Sequence, residues 1–236
     1  MGNDNSIVIL TGAGISKESG LSTFRDADGI WAETRLEDVA TPEAFAADPA
    51  RVHGFYNQRR RGLLDSEVTP NAAHQALARL EAEWNGDILL VTQNIDNLHE
   101  RAGSQKVIHM HGSLLEARCL SCTEISPWLA DMDTSSRCLH CDEESSLRVN
   151  VVWFGEMPME MDVIFAALAT CNMFISIGTS GTVYPAAGFI AEVRDHGKAK
   201  TVELNLEPSE GHSLFAERRY GPASQTVTQF VEELLS

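Results

Sequence analysis

The chain alternates between short, continuously apolar runs and longer stretches in which apolar residues recur every three or four positions. Five runs read as strands: SIVILT from Ser6, DILLVT from Asp87, VNVVWF from Val149, MFISIGT from Met173 and TVELNL from Thr201. Continuous rather than alternating hydrophobicity suits strands buried on both faces, as in a parallel sheet. Among the helical patterns, AAHQALARLEAEW follows the N-cap candidate Asn71, PAAGFIAEVRDHG ends on Gly197, and TQFVEELL is amphipathic near the end of the chain. This alternation predicts an α/β protein with a doubly wound, Rossmann-like parallel sheet.

Two segments break the alternation. Pro42 to Leu64 reads as helical, with Thr41-Pro42 and Asp48-Pro49 as starts, and a loop from about Arg118 to Arg148 holds four of the five cysteines. These insertions are expected to form a smaller discontinuous domain, residues 35–64 and 118–148, over one edge of the sheet. Residues 1–34, 65–117 and 149–236 are expected to form the main domain.

The cysteines are spaced Cys119-x-x-Cys122 and Cys138-x-x-Cys141, with 15 residues between the pairs. Without an export signal this spacing reads as a zinc site rather than as disulfides. Four thiolates fill a tetrahedron and leave no position for water or substrate, so one structural zinc per chain is expected to hold together a loop that cannot bury a core of its own. His140 is an alternative ligand, or a satisfied or solvated histidine. Cys171 lies in an apolar segment and is expected in the core.

Charge narrows the partners. The 236 residues carry 34 acidic and 18 basic side chains, a net charge of −16. Such a surface disfavours direct nucleic-acid binding and favours lysine-rich partners. No segment approaches the roughly 18–20 consecutive apolar residues of a membrane span, and MGNDNS has neither the basic nor the apolar part of a secretory signal. A cytoplasmic monomer without membrane contact is the expectation.

Candidate chemistry clusters after the strand runs. Gly12-Ala13-Gly14 would let the chain turn tightly and aim backbone N–H groups at a pyrophosphate, but the third glycine of the usual fingerprint is replaced by Lys17. The turn alone does not separate a nucleotide site from a tight structural turn. Ser16, Gly20, Phe24, Arg25, Asp26 and Trp31 follow, a polar and aromatic mix that suits an ordered loop over a ligand. Gln93-Asn94-Ile95-Asp96 comes directly after the second run, where a strand end should open into a crevice. His109 and His111 are two apart and would share one face of a strand, so spacing does not choose between them as a base. In FYNQRRR, Tyr56 and Arg59 are three apart, on one face of a helix. A phenol beside a guanidinium makes a receptor for a carboxylate, although the run also reads as a solvated charge cluster.

GAGIS-x-x-SG with FRD and GIW, TQNIDNLHERAG from Thr92, HMHGS from His109, both cysteine pairs, VVWFGEMP from Val151, GTSGTVYPAAGF from Gly178 and NLEPS from Asn205 together resemble the sirtuins, the NAD-dependent protein lysine deacylases. The resemblance covers nearly the whole chain after residue 5. It implies NAD as co-substrate and acylated-lysine proteins or peptides as partners. It further implies that the third glycine is dispensable, that Gly12, Ala13, Gly14, Ser16, Phe24, Arg25 and Trp31 bind NAD, and that the loop following the turn covers its nicotinamide end. Gln93, Asn94, Ile95 and Asp96 would form the nicotinamide pocket, with Asn94 and the general base His111 as catalytic residues. Gly178, Thr179 and Ser180 would contact phosphates and ribose, Asn205, Leu206 and Glu207 the adenosine ribose, and Ala223 the adenine.

By the same resemblance, substrate backbone would add as a strand between Phe154-Gly155-Glu156 and Gly181-Thr182-Val183. Tyr56 and Arg59 match a Tyr-x-x-Arg pair in the sirtuin branch that removes succinyl and malonyl groups. The implied reaction attacks the ribose carbon with the acyl-amide oxygen as nicotinamide leaves, and ends in free lysine and O-acyl-ADP-ribose. Two other readings are protein ADP-ribosylation by the same nicotinamide chemistry and a non-catalytic, zinc-containing NAD sensor. A base beside the ribose argues against the sensor.

Overall fold

The computed structural model describes residues 5–21, 35–144, 146–197 and 199–236. Its strands are Ile7–Thr11 (β1), Ile88–Thr92 (β2), Val107–His109 (β3), Gly112–Cys119 (β4), Ile125–Pro127 (β5), Leu147–Val151 (β6), Met173–Ile177 (β7), Lys200–Asn205 (β8) and Glu217–Tyr220 (β9). Six of them form one parallel sheet in the order β3-β2-β1-β7-β8-β9. Counted along this sheet alone the order is 3-2-1-4-5-6, the Rossmann arrangement, with its switch point between β1 and β7.

Both faces of the sheet are covered. Ile7, Ile9, Ile88, Leu90, Ile175 and Val202 point to one side and pack with Leu77 and Leu80 of helix Ala72–Glu83 (α3) and Phe230 of helix Ala223–Leu235 (α7). Val8, Leu10, Val91 and Phe174, one residue out of phase, pack with Ile164 and Leu168 of helix Met161–Thr170 (α5) and Phe189 and Val193 of helix Phe189–His196 (α6). The period of two explains why these strands read as continuous apolar runs: each alternate residue enters a different core. Cys171 is buried in the second of these cores.

The helical insertion is two helices, Pro42–Ala47 (α1) and Pro49–Leu63 (α2), each opening on proline. Thr41 Oγ1 caps the first by accepting from the Ala44 amide at 3.1 Å, and Asp48 Oδ1 the second from the Arg51 amide at 3.0 Å. A short helix, Leu98–Ala102 (α4), follows β2. Gly197, with φ 75°, caps α6 as its place in the sequence predicts.

The VNVVWF run departs from expectation. It does not join the parallel sheet; β6 pairs antiparallel with β4, which also pairs with β5, in a separate three-stranded sheet. Continuous burial is common to a parallel strand and to a small sheet covered by α2 on one side, and a five-residue run cannot tell them apart. β4 and β6 cross the positions 117–118 and 148–149 at which the two domains are expected to meet. Asn57 and Arg60 tie α2 to the cysteine loop. Asn57 exchanges hydrogen bonds with Met132 (2.7 and 2.9 Å), and the fully buried Arg60 donates to Leu114 O at 3.0 Å and to Asn57 Oδ1 at 2.8 Å. Among the described residues no helix is long and apolar enough to cross a membrane.

Candidate active site and metal centre

The loops after β1 and β7 meet at the switch point, and glycine is required there. A Cβ on Gly14 would lie 2.7 Å from Gly178 Cα, and one on Gly178, which has φ 63°, would lie 2.5 Å from the Ile15 amide nitrogen. The Gly12 amide donates to Ile177 O (3.0 Å) and the Gly14 amide to Gly178 O (2.9 Å). These two N–H groups therefore join the loops rather than face a pyrophosphate, which corrects the expectation from the sequence. The chain then runs as a 3-10 helix, Ala13–Ser19, ending at Gly20 with φ 89°. In the usual fingerprint the third glycine permits close helix–strand packing. Lys17 stands at that place and is exposed, so no such packing demand exists.

A buried polar cluster lies against this turn. Ser16 Oγ donates to Asp96 Oδ2 (3.0 Å), and Asn94 Nδ2 lies 3.1 Å from Gly12 O and 3.2 Å from Ser16 Oγ. Asp96 Oδ1 accepts from the Leu98 amide at 3.1 Å, while burial raises the Asp96 carboxyl above the ordinary carboxylate range. The sequence thus brings Ser16, Asn94 and Asp96 together as expected. Phe24, Arg25 and Trp31 lie outside the described residues.

Behind the cluster stand two histidines that sequence reasoning missed. His74 Nε2 is 3.5 Å from Ser16 Oγ, His99 Nε2 is 3.0 Å from Thr11 Oγ1, and the two rings lie 4.9 Å apart. Thr11 and Thr92 face each other in register on β1 and β2, their hydroxyls 2.8 Å apart. No local spacing signals this group, because the pairing of β1 with β2 assembles it. Burial lowers His74 to about 4 and His99 well below its ordinary value.

The unfolded chain protonates these histidines as pH falls through about 6.5, the folded chain only much lower, so the stability they carry is full above 6.5 and lost towards 4. For His74 this is about 2–3 kcal/mol between about pH 7.5 and about pH 4.5. Urea denaturation at both pH values should show that extra loss in the wild type relative to His74→Gln. An equal loss in both proteins would refute the assignment.

The two histidines after β2 are distinguished by their partners. His109 has both ring nitrogens engaged, Nδ1 with Asn94 O (3.0 Å) and Nε2 with Glu100 Oε1 (2.6 Å). Burial opposes its charge, but the Glu100 carboxylate outweighs it and raises the histidine above its ordinary value. His111 donates Nδ1–H to Gln93 O at 3.0 Å, and its Nε2 has no hydrogen-bond partner among the described residues. Burial lowers it below its ordinary value, with the Gln93 carbonyl opposing. His111 is therefore neutral near pH 7 with a free lone pair, whereas His109, with both ring nitrogens on oxygen acceptors, is held towards its charged form and has no nitrogen left to take a proton.

Beyond β7, Ser176 Oγ and Thr179 Oγ1 are 3.0 Å apart and Ser180 Oγ and Thr182 Oγ1 2.7 Å apart. Asn205 Nδ2 donates to Thr179 O at 2.7 Å, which joins the ends of β7 and β8; Leu206 and Glu207 are exposed beside it, and Ala223 opens α7. A cavity lined by Gln93, Ser176, Thr179, Gly181, Val183 and Ser209 opens at this carboxyl edge. Phe154-Gly155-Glu156 is a turn and not an extended edge: the Phe154 amide donates to Ala40 O (2.9 Å) and the Glu156 amide to Trp153 O (3.0 Å). An added substrate strand would find those two N–H groups already engaged. Phe154 and Val183 are nevertheless exposed apolar side chains, as are Met157 and Tyr184 next to them.

Tyr56 is buried on α2 and accepts a hydrogen bond from Trp153 Nε1 at 3.0 Å. Burial pushes its phenol up to about 12, so it remains protonated. Arg59 is half-buried, within electrostatic reach of Tyr56 and Asp96, and its charge is disfavoured by that burial. The pair is thus directed into the protein, beside the Asp96 cluster, and is not a solvated charge run.

The four cysteine Sγ atoms all lie within 4.8 Å of one another, with 3.7 Å between Cys119 and Cys141 and 3.6 Å between Cys122 and Cys138. A tetrahedral zinc with Zn–S bonds near 2.3 Å needs about 3.8 Å. The two pairs fold as matching knuckles. The amide four residues after the first cysteine of each pair, Thr123 or Asp142, donates back to that cysteine's carbonyl at 3.0 Å, and both residues have positive φ, 65° and 57°. Amides of Ser121 and Cys122 approach Cys119 Sγ at 3.4 Å, as that of His140 approaches Cys138 Sγ, which suits thiolates. These donors fit one structural zinc. The His140 ring instead meets Ser126 Oγ at 3.0 Å. Metal analysis is expected to find about one zinc per chain, and Cys138→Ser to lose it with a thermal midpoint lower by more than about 4 °C. Retention of both metal and midpoint would contradict the site.

Fold and site define a doubly wound, Rossmann-like α/β protein carrying an inserted four-thiolate module. The chain belongs to the Sir2 family, whose profile matches residues 12–185. It is similar to a protein of Vibrio vulnificus (strain YJ016) named NAD-dependent protein deacylase, with 57% identity over 98% of this chain and 94% of the relative. Among solved structures it resembles a Sir2 homologue in complex with NAD (37% identity, TM-score 0.87, covering 98% of this chain and 91% of the other). It also resembles a Sir2 protein bound to acetylated peptide (27% identity, TM-score 0.82, covering 99% and 95%).

Proposed function

We propose that the protein is an NAD-dependent protein-lysine deacylase acting on acetyl-lysine and also on succinyl- and malonyl-lysine. The observation that carries this reading is His111, neutral and with Nε2 free, after β3 and hydrogen-bonded to Gln93 of the segment after the neighbouring β2 that carries the Asn94/Asp96 pair. Kinship to proteins named for this activity and to a structure with acetylated peptide supports it. A cytoplasmic setting is part of the same proposal.

When bound, NAD supplies an electrophilic ribose carbon and nicotinamide as leaving group. Asn94 and Asp96 hold the nicotinamide amide and ribose hydroxyls, and Ser16 keeps Asp96 in orientation. Gln93 O fixes the His111 tautomer, so that Nε2 can take a ribose hydroxyl proton. Gly178 to Ser180 border the phosphates, Asn205 to Glu207 the adenosine ribose and Ala223 the adenine. The peptide main chain lies between 154–156 and 181–183, while Tyr56 and Arg59 receive the carboxylate of an acidic acyl group.

Mass spectrometry of acetyl-lysine and succinyl-lysine peptides, incubated with and without NAD, tests the proposal. NAD-dependent loss of acyl mass with release of nicotinamide is expected for both. Nicotinamide release with both peptides still acylated would favour ADP-ribosyl transfer, and no turnover by zinc-replete protein would favour the sensor.

A further inference from the structure

The hydrogen bond between Trp153 and Tyr56 spans 97 residues and has only one possible direction. An indole nitrogen donates and never accepts, whereas a phenol oxygen does both. Tyr56 Oη is therefore the acceptor, its O–H cannot point at the indole, and it donates to no described residue. We propose that Trp153 is a specificity-determining positioning residue, which commits the Tyr56 proton to the acyl group of the substrate. The inference rests on the reading of Tyr56 and Arg59 as an acyl-carboxylate receptor.

The surroundings of Trp153 support this role. Arg148, itself buried, lies over the indole with its guanidinium carbon 3.3 Å from the ring centroid. Its Nη1 and Nη2 reach both oxygens of Glu156, at 2.7 and 3.0 Å, and Nη2 also donates to Val151 O at 2.6 Å. Glu156 Oε2 accepts from the Trp153 amide at 2.7 Å, so one carboxylate holds both the cation on the ring and the backbone beneath it. Phe45 contacts the indole as well, at 5.3 Å between centroids. Two chemically different clamps thus fix the indole N–H, and the indole fixes the phenol. Among the substrates proposed above, only an acyl group ending in an acceptor gains from a proton aimed this way. An acetyl methyl gains nothing, which makes the bond a determinant of selectivity and not of general turnover.

Trp153→Phe keeps an aromatic ring and removes only the donor. In the full-length chain the ratio of succinyl to acetyl kcat/KM is expected to fall about fivefold to tenfold, the loss of one neutral hydrogen bond's ordering. The double variant Trp153→Phe/Tyr56→Phe should show the same ratio as Tyr56→Phe alone, because Trp153 acts through that hydroxyl. An unchanged ratio, or a double variant lower by the product of the two effects, would overturn the inference. Arg59→Met is the parallel control. If wild type ignores succinyl-lysine, or Arg59→Met retains it, the receptor reading fails and this inference with it. If Arg59→Met loses succinyl activity while Trp153→Phe keeps its ratio, the inference alone fails. Should Trp153→Phe not fold, the Trp153 indole 15N–1H resonance decides: it should move upfield in Tyr56→Phe, and an unmoved resonance refutes the bond.

Discussion

His111→Asn is expected to lower deacylation of both acetyl and succinyl peptides by about 10²–10⁴-fold, the usual contribution of a positioned general base. The variant should still bind NAD and keep its thermal midpoint, because His111 makes one hydrogen bond, through Nδ1 to Gln93 O. Asparagine can reproduce that donor but cannot take a proton. The wild-type pH profile checks the same assignment. Burial lowers His111, so its basic form persists below pH 6.5, and the rate should fall only as pH drops beneath that value. This acid limb should vanish from the residual activity of the variant. His109→Asn should leave the limb in place, since both His109 ring nitrogens are engaged, with Asn94 O and Glu100, and neither is free to take a proton from substrate. Activity of His111→Asn within tenfold of wild type would remove it from the reaction.

Arg59→Met is expected to reduce kcat/KM on succinyl-lysine by about 10²–10³-fold and that on acetyl-lysine by less than about tenfold. Truncating one member of a buried charge pair costs about 3–5 kcal/mol, because the remaining carboxylate is left desolvated and unpaired. Tyr56, with its phenol at about 12, stays a neutral donor at any working pH and cannot supply the missing charge. Methionine preserves the apolar stem, so an acetyl group, which carries no charge to be orphaned, should suffer little. Steady-state kinetics on paired peptides of one sequence would check this. Equal losses on the two peptides would point to a structural role for Arg59 and remove it from acyl recognition.

Sequence patterning reached the central strands because each buries both faces: Ile9 and Leu10 enter opposite cores one residue apart. It missed β9, whose sequence ERRY is polar and lies on the sheet edge, and β3, three residues long. It assigned the Val149 run to the wrong sheet because burial does not encode strand direction. At the site, the position of Gln93-Asn94-Ile95-Asp96 after an apolar run placed Asn94 and Asp96 at a strand end, while His111 was singled out only by the resemblance. Nothing local distinguished His111 from His109, since the difference lies in Glu100 and Gln93 O, contacts made only by folding. His74 and His99 were invisible for the same reason: in the chain, His74 is merely a polar position in the first turn of α3. The glycine turn was read correctly as a close approach, but the approaching group is the Gly178 loop.

The attachment of α2 to the cysteine loop places two functions on one rod. Tyr56 meets Trp153 and Arg59 comes within electrostatic reach of Asp96, while Asn57 and Arg60, each one residue further along and rotated by about a hundred degrees, grip the segment at 130–132. Selection on this family member therefore cannot treat the metal module as an independent cassette. The stretch beyond Met132, towards Cys138, makes none of these contacts to α2 and answers instead to the geometry of the cysteine cluster. On the proposed role of Tyr56 and Arg59, a change of length between Cys122 and Ala130, which strains the contacts of Asn57 and Arg60, is expected to register as a change in acyl selectivity.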